Sequence, residues 1–200
     1  MKLRGLYAIT PESLDSGTLL RQVAQALEGG IAMLQYRRKG RQHLDEAKTL
    51  AQMCRDRAVP FVVNDAIDLA MDCGADGVHL GRDDGALSSA RASLGDKLLG
   101  ASCYDSLSAA RAAVAAGADY VAFGSVFLSP TKPAAARAPL SLFGEARSLG
   151  VPLVAIGGIT LENAPQLLAA GADGLAVISD LFDAPDIAAR ARAYGMLFRS

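Results

Sequence analysis

A polar run, Gln35-Tyr36-Arg37-Arg38-Lys39, follows a short apolar stretch in this sequence. In an extended strand, alternation puts Gln35, Arg37 and Lys39 on one side and Tyr36 and Arg38 on the other. Cations gathered on one side call for an anion. Arginine offers a planar fork and lysine a point charge, the usual tools for phosphate. The bland alternative is a solvated surface cluster. Further along come Asn64-Asp65 and Gly81-Arg82-Asp83-Asp84. Two oxygen-rich acidic loops suit Mg²⁺, which takes one or two carboxylates and shares its shell with water and substrate phosphate. Taken singly, Asp65 could be a helix N-cap, and Asp83 and Asp84 could form a turn before Gly85. Cations and magnesium carboxylates together describe a diphosphate site.

A second anion site is suggested later in the chain. Ile156-Gly157-Gly158-Ile159-Thr160 and Val177-Ile178-Ser179-Asp180 supply glycines and a hydroxyl. Glycine lets backbone N–H groups approach phosphate oxygens closely. Between the two sites fall Ser102 and the stretch Ser129-Pro130-Thr131-Lys132, with hydroxyls and a lysine. Two anion sites suit the joining of a diphosphate ester to a phosphorylated partner. His79 lies within an apolar run and reads as a structural histidine rather than a base; His43, at a helix start, is a weaker candidate still. No Ser-His-Asp or Cys-His constellation can be assembled.

These residues need a scaffold, and the pattern of elements supplies one. Eight short apolar runs occur: Leu6–Thr10, Met33–Arg37, Pro60–Asn64, Gly77–Leu80, Leu98–Ser102, Tyr120–Gly124, Pro152–Gly158 and Gly174–Ser179. Alanine-rich segments with helical periodicity separate them: 18–28, 44–57, 106–116 and 162–170, with a last one at 185–198. Leu19, Val23, Ala26 and Leu27 share one face. An Ala-Gly-Ala-Asp repeat (116–119, 170–173, and Cys-Gly-Ala-Asp at 73–76) sits each time between a helix and the next strand. Its glycines occupy the helix C′ place, where φ is positive. Such βα units make parallel sheets covered on both faces, and eight of them predict a (β/α)8 barrel of the TIM type, one domain over 1–200. An open doubly wound sheet would want a Gly-rich loop after the first strand, where Pro-Glu-Ser stands instead. Barrel chemistry lies at the C-terminal ends of the strands. Each polar group above falls just there. The proline-rich stretch 130–139 reads either as a loose surface loop or as a mobile lid carrying Thr131, Lys132 and Arg137.

Composition narrows the classes. The 200 residues are 51% hydrophobic and 20% charged, which excludes a disordered chain. Lys plus Arg is 20 and Asp plus Glu is 21, leaving no basic surplus for nucleic acid. No uncharged apolar stretch of about 18 residues is present, so no membrane helix is expected. Cys54, Cys73 and Cys103 lack C-x-x-C spacing, which argues against a zinc site or disulfide framework and favours a reducing cytoplasm.

Over essentially its whole length the sequence resembles the thiamine-phosphate synthase family. The blocks that carry the resemblance are LYAIT, GGIAMLQYRRK, VNDAIDLAMDCGADGVHLG, AAGADYVAFGSVFLSPTK and VAIGGITLENAPQLLAAGADGLAVIS. The resemblance implies a (β/α)8 enzyme, dependent on Mg²⁺, that joins hydroxymethylpyrimidine diphosphate to hydroxyethylthiazole phosphate or its carboxylated form. The reaction it implies is dissociative: diphosphate leaves, a pyrimidinylmethyl cation forms, and the thiazole nitrogen attacks. It matches Gln35, Arg37, Lys39, Asn64 and Lys132 to the pyrimidine diphosphate, Asp65 and Asp84 to Mg²⁺, and Ser102 to the pyrimidine and diphosphate. Ser129, Thr131, Gly158, Ile178 and Ser179 match the thiazole-phosphate side. Arg37, Lys39, Ser102 and Lys132 would be catalytic. Three positions depart from the family habit: Arg82 in place of Gln, Ser129 in place of Thr, and Asp180 in place of a small residue. A thiazole tautomerase, a non-catalytic phosphate sensor and a sugar-phosphate epimerase are the rivals. The tautomerase has no use for the pyrimidine-diphosphate residues, the sensor should have lost them, and the epimerase wants an acid/base pair that cannot be placed. Oligomeric state is open, a homodimer being one option.

Overall fold

A computed structural model describes residues 3–38, 43–82, 84–128 and 137–199. Eight parallel strands, each paired with its sequence neighbours, close on themselves. They are β1 (Gly5–Ile9), β2 (Met33–Tyr36), β3 (Phe61–Asn64), β4 (Gly77–Leu80), β5 (Leu98–Tyr104), β6 (Tyr120–Phe123), β7 (Leu153–Ile156) and β8 (Gly174–Val177). The helices around them are α1 (Ser16–Gly29), α2 (Leu44–Arg55), α3 (Ile67–Asp72), α4 (Leu87–Leu94), α5 (Leu107–Ala115), α6 (Ser141–Ala146), α7 (Ala164–Ala170), α8 (Ser179–Phe182) and α9 (Ile187–Met196). This is the expected (β/α)8 barrel. Each expected strand forms: β2, β3, β6, β7 and β8 are one to three residues shorter than their apolar runs, β1 and β4 are as long, and β5 is two residues longer. No described helix is long and apolar enough to cross a membrane, and the three cysteines are free and buried.

Strand alternation builds two cores from one sheet. Tyr7, Ile9, Met33, Val62, Tyr120, Ala122, Val154 and Ala176 point inward and pack inside the barrel. Their neighbours Leu6, Ala8, Leu34, Tyr36, Phe61, Val63, Val121 and Leu175 point outward and pack under the helices. Both faces are therefore apolar, which explains why the strands read as continuous hydrophobic runs. On α1 the buried residues include Leu19, Val23, Ala26 and Leu27, the face read from the periodicity. Side-chain oxygens cap helix starts: Asp15 accepts from the Thr18 N–H at 2.9 Å, and Asp186 from the Ala189 N–H at 2.8 Å.

The repeated Gly-Ala-Asp segment does a second job besides ending a helix. Gly74, Gly117 and Gly171 have φ of 68°, 94° and 109°, the left-handed conformation that suits glycine. Two residues later, each aspartate clamps the preceding strand. The carboxylate of Asp76 accepts from the Phe61 N–H at 2.8 Å, that of Asp119 from the Leu99 N–H at 2.8 Å, and that of Asp173 from the Leu153 N–H at 3.0 Å. The aspartate N–H groups return the bond to the carbonyls of the same three residues at 2.7–2.8 Å. All three clamps lie at the N-terminal ends of the strands, the barrel end associated with stability.

Asp173→Ala leaves the Leu153 N–H without its acceptor. It should lower the unfolding free energy by about 1–2 kcal/mol, read as a lower urea midpoint, with turnover unchanged. An unaltered midpoint would contradict the clamp.

Candidate functional site

The C-terminal ends of β2 to β5 gather the polar residues. Gln35 lies near the end of β2 and is buried, its Nε2 donating to the Tyr7 hydroxyl at 2.7 Å. Tyr36 and Arg38 face the other way: the Tyr36 hydroxyl and the Arg38 guanidinium both donate to Glu46 of α2, each at 2.7 Å. Gln35 is thus on the opposite side of β2 from Tyr36 and Arg38, as strand alternation predicts. Arg37 lies two residues beyond Gln35, at the rim. Its N–H donates to Thr10 Oγ1 at 2.8 Å, the Thr10 hydroxyl donates to its carbonyl at 3.1 Å, and its guanidinium pairs with Glu12. These bonds tie the β2 end to the loop after β1.

Next to Arg37 is an acidic corner. Asn64 ends β3, and its amide donates to the Asp65 carboxylate at 2.5 Å. Asp65 has a left-handed backbone, φ 63°, and its N–H donates to the His79 carbonyl at 2.9 Å. Helix α3 starts after Ala66 without a side-chain cap, so Asp65 is not an N-cap. Asp84 arrives from the loop after β4, accepting the Gly81 N–H at 2.7 Å. Burial and the adjoining Asp84 carboxylate push Asp65 up to about 6, while Arg37 and Asn64 pull the other way. Two carboxylates held this close repel each other and favour a shared cation. The donor set therefore fits a hard divalent ion that leaves most of its shell to water and phosphate oxygens. Among the described residues no group of three or more His, Cys, Asp or Glu side chains that could hold a metal ion is present.

Behind this corner a row of hydrogen bonds crosses the barrel. Gln35 donates to Tyr7, whose hydroxyl is 2.8 Å from that of Tyr120. The Tyr120 hydroxyl is 3.0 Å from His79 Nδ1, and His79 Nε2 is 2.9 Å from Ser102 Oγ. Tyr7 and Tyr120 also meet edge to face, with ring centroids 5.9 Å apart. Gly100 makes room: a Cβ there would lie 2.1 Å from the Tyr120 ring and 2.6 Å from His79 Nδ1. His79 is structural in the sense read from the sequence, since it is buried and hydrogen-bonded at both nitrogens. Its contact with Ser102 is not legible in the sequence, and neither are Tyr7, Tyr120 and Gly100 as parts of the site. A phenol at an inward-facing strand position was the available signal, because its hydroxyl must find a partner inside.

The opposite side of the mouth is built from backbone. The segment after β6 pairs with the loop after β7: the Val126 N–H donates to the Ile156 carbonyl and the Phe127 N–H to the Gly157 carbonyl, both at 3.0 Å. Gly158, φ 62°, leaves no space for a Cβ, which would lie 2.3 Å from the Leu128 carbonyl oxygen. Ile178 precedes α8, and Ser179 is its first residue. The carboxylate of Asp180 turns toward α9, accepting from Arg190 at 2.9 Å and from the Tyr194 hydroxyl at 2.7 Å. The guanidinium carbon of Arg82 lies 4.5 Å from the centroid of the Tyr104 ring, a cation–π contact. Lys39, Asp83, Ser129, Thr131, Lys132 and most of the stretch 130–139 lie outside the described residues.

Comparison with known proteins points to one family. A family described as thiamine monophosphate synthase matches residues 6–181. The thiamine-phosphate synthase of Aromatoleum aromaticum is 58% identical over 202 residues, covering 98% of this chain and 97% of that one. Its counterpart in Chromobacterium violaceum is 56% identical, covering 96% and 95%. Among solved structures, thiamine phosphate pyrophosphorylase from Pyrococcus furiosus superposes with a TM-score of 0.88 at 34% identity, covering 99% and 96%. A tryptophan synthase structure from Mycobacterium tuberculosis superposes with a TM-score of 0.77 at 14% identity. At that identity the likeness is one of fold alone.

Burial lowers His79 from 6.5 to about 4, and the charge of Asp84 pulls weakly the other way. Between those values the unfolded chain binds the proton and the folded protein does not, so His79 favours folding above pH 6.5 and loses that contribution as pH falls toward 4. The contribution is on the order of 3 kcal/mol. Asp65, raised, has the opposite sign over part of this range. The His79 share is therefore read as the difference between wild type and His79→Gln in urea titrations at several pH values. A difference that does not change with pH would contradict the buried neutral imidazole.

Proposed function

The chain belongs to the thiamine monophosphate synthase family, and from that premise we propose that it joins hydroxymethylpyrimidine diphosphate to hydroxyethylthiazole phosphate, or its carboxylated form, giving thiamine phosphate and diphosphate. It is a transferase of an alkyl group. The observation that carries the residue assignment is the meeting of Arg37, Asn64, Asp65 and Asp84 at one edge of the barrel mouth, with Asp65 raised by its acidic neighbour.

Chemically, the bond between the pyrimidinylmethyl carbon and the diphosphate oxygen breaks, and a bond from the thiazole nitrogen to that carbon forms. The breaking bond leaves its electron pair on the diphosphate, so negative charge grows on the leaving group. Arg37, poised at the rim by Thr10 and Glu12, stabilises that charge, and Lys39 and Lys132 take the same role. Asp65 and Asp84 would hold Mg²⁺, which when bound neutralises diphosphate charge. Gln35 and Ser102 contact the pyrimidine and its diphosphate, and Asn64 orients the diphosphate edge. Gly158, Ile178 and Ser179, with Ser129 and Thr131, hold the thiazole phosphate. The aminopyrimidine spreads the developing positive charge, so the step requires no dedicated general base. That accords with a histidine occupied on both nitrogens.

Incubating the purified protein with both phosphorylated substrates and magnesium should yield thiamine phosphate, detected as thiochrome. No product under those conditions, or equal product after chelation, would overturn the reading. Arg37→Ala should lower kcat by about 10²–10³-fold, the usual loss for a donor that stabilises developing charge, with the KM for thiazole phosphate little changed. Equal damage to both parameters would place Arg37 elsewhere.

A further inference from the structure

We infer that Gln35 acts through Tyr7, Tyr120 and His79 to make Ser102 a hydrogen-bond donor toward the bound pyrimidine diphosphate. This rests on the function proposed above, and it assigns Tyr7, Tyr120 and His79 as positioning residues for that ligand.

Counting protons along the row fixes its direction. The Gln35 amide nitrogen has only protons to offer, so at 2.7 Å from the Tyr7 hydroxyl it donates. Tyr7 and Tyr120 are fully buried, and burial raises both phenols far above neutral pH, so each keeps its one proton. At about pH 8 and above an imidazole is neutral, with one nitrogen a donor and the other an acceptor, and His79 has one hydroxyl partner at each. Every member of the row between the two ends therefore passes on a single proton. Once Tyr7 has accepted from Gln35, its own proton goes to Tyr120, 2.8 Å away. Tyr120 then donates to Nδ1 of His79, and the imidazole proton on Nε2 goes to Ser102 Oγ. The reverse order beyond Tyr7 would strand its proton in the interior, at the cost of an unpaired buried donor. With Ser102 accepting from His79, its own proton turns to the mouth. There it meets an acceptor on the ligand, a ring nitrogen or a diphosphate oxygen.

The packing protects this direction. Gly100 faces His79 on one side in the strand register and Tyr120 on the other. Its missing side chain is the space in which the Tyr120–His79 bond forms. The imidazole and phenol rings also stack, with centroids 5.5 Å apart, which fixes the ring plane that aims Nε2 at Ser102.

The test reads the His79 tautomer directly. The sequence has two histidines, so ¹⁵N-histidine labelling of the full chain gives two imidazoles, and His43→Gln assigns them. In wild type, His79 should carry its proton on Nε2. Gln35→Glu, at about pH 10, above the range of about 8–9 to which burial raises a glutamic acid, can only accept. The row should then reverse, and the His79 proton should move to Nδ1. An Nδ1–H tautomer in wild type, or no change on Gln35→Glu, overturns the inference. Should that variant not fold, Tyr120→Phe removes the central oxygen alone. It should lower kcat/KM for the pyrimidine diphosphate about tenfold, the loss expected for one buried hydrogen bond. The KM for thiazole phosphate should stay within about twofold, well under the effect of a single lost hydrogen bond. Ser102→Ala should then cost less in the Tyr120→Phe background than in wild type. Additive losses, or equal damage toward both substrates, overturn it. Because the tautomer is read without turnover, an inactive protein with a switching tautomer would sink only the proposed function. An active protein whose tautomer ignores Gln35 would sink only the row.

Discussion

A closed barrel has no edge and its interior is packed with side chains, so any polar group that enters that interior must be satisfied there. That constraint organises the interior of this molecule. Inward-facing residues alternate along each strand, and many of them are apolar, such as Leu3, Met33 and Val62. Among them Gln35, Tyr7, Tyr120, His79 and Ser102 are polar, and each finds its partner on another strand. The row ties β1, β2, β4, β5 and β6 together by side chains, in addition to the backbone ladder. Gly100 belongs to the same solution, because any larger residue would occupy the space through which the row passes.

The two ends of the barrel divide labour. At the N-terminal ends, three copies of the Gly-Ala-Asp segment use their carboxylates on backbone N–H groups. Those acids are committed to stability. At the C-terminal ends, Asp65 and Asp84 face each other instead, and Asp65 is raised as a result. A formal charge of −1 conceals this arrangement, since Arg37 with Glu12 and Arg190 with Asp180 cancel in the sum. Position decides what each charge does. Asp180, an acid beside a glycine-lined mouth, is drawn to Arg190 and Tyr194 of α9 and away from any anion bound there.

Much of this was legible in the residues themselves. Short apolar runs, alanine-rich helical segments and the recurring Gly-Ala-Asp punctuation are local signals, and local signals settle a (β/α)8 arrangement. Strand parity correctly separated Gln35 from Tyr36 and Arg38. What could not be read locally were partners across the barrel. His79 and Ser102 meet because β4 and β5 pair in one register, and Tyr7 reaches Tyr120 across more than a hundred residues of sequence. Nor could the rim contacts be read: Arg37 with Glu12, or Arg82 on Tyr104, depend on loop geometry. The pairing of Asp65 with Asp84 was suggested by their chemistry, but only closure of the sheet brings the loops after β3 and β4 together.

On the proposed function, the acidic corner beside Arg37 holds the diphosphate and its metal. Crystals grown with diphosphate and Mn²⁺ in place of magnesium would test it by anomalous scattering. A manganese peak is expected between the carboxylates of Asp65 and Asp84, with diphosphate density reaching Arg37. A peak elsewhere on the protein, or diphosphate bound without metal at that corner, would contradict it.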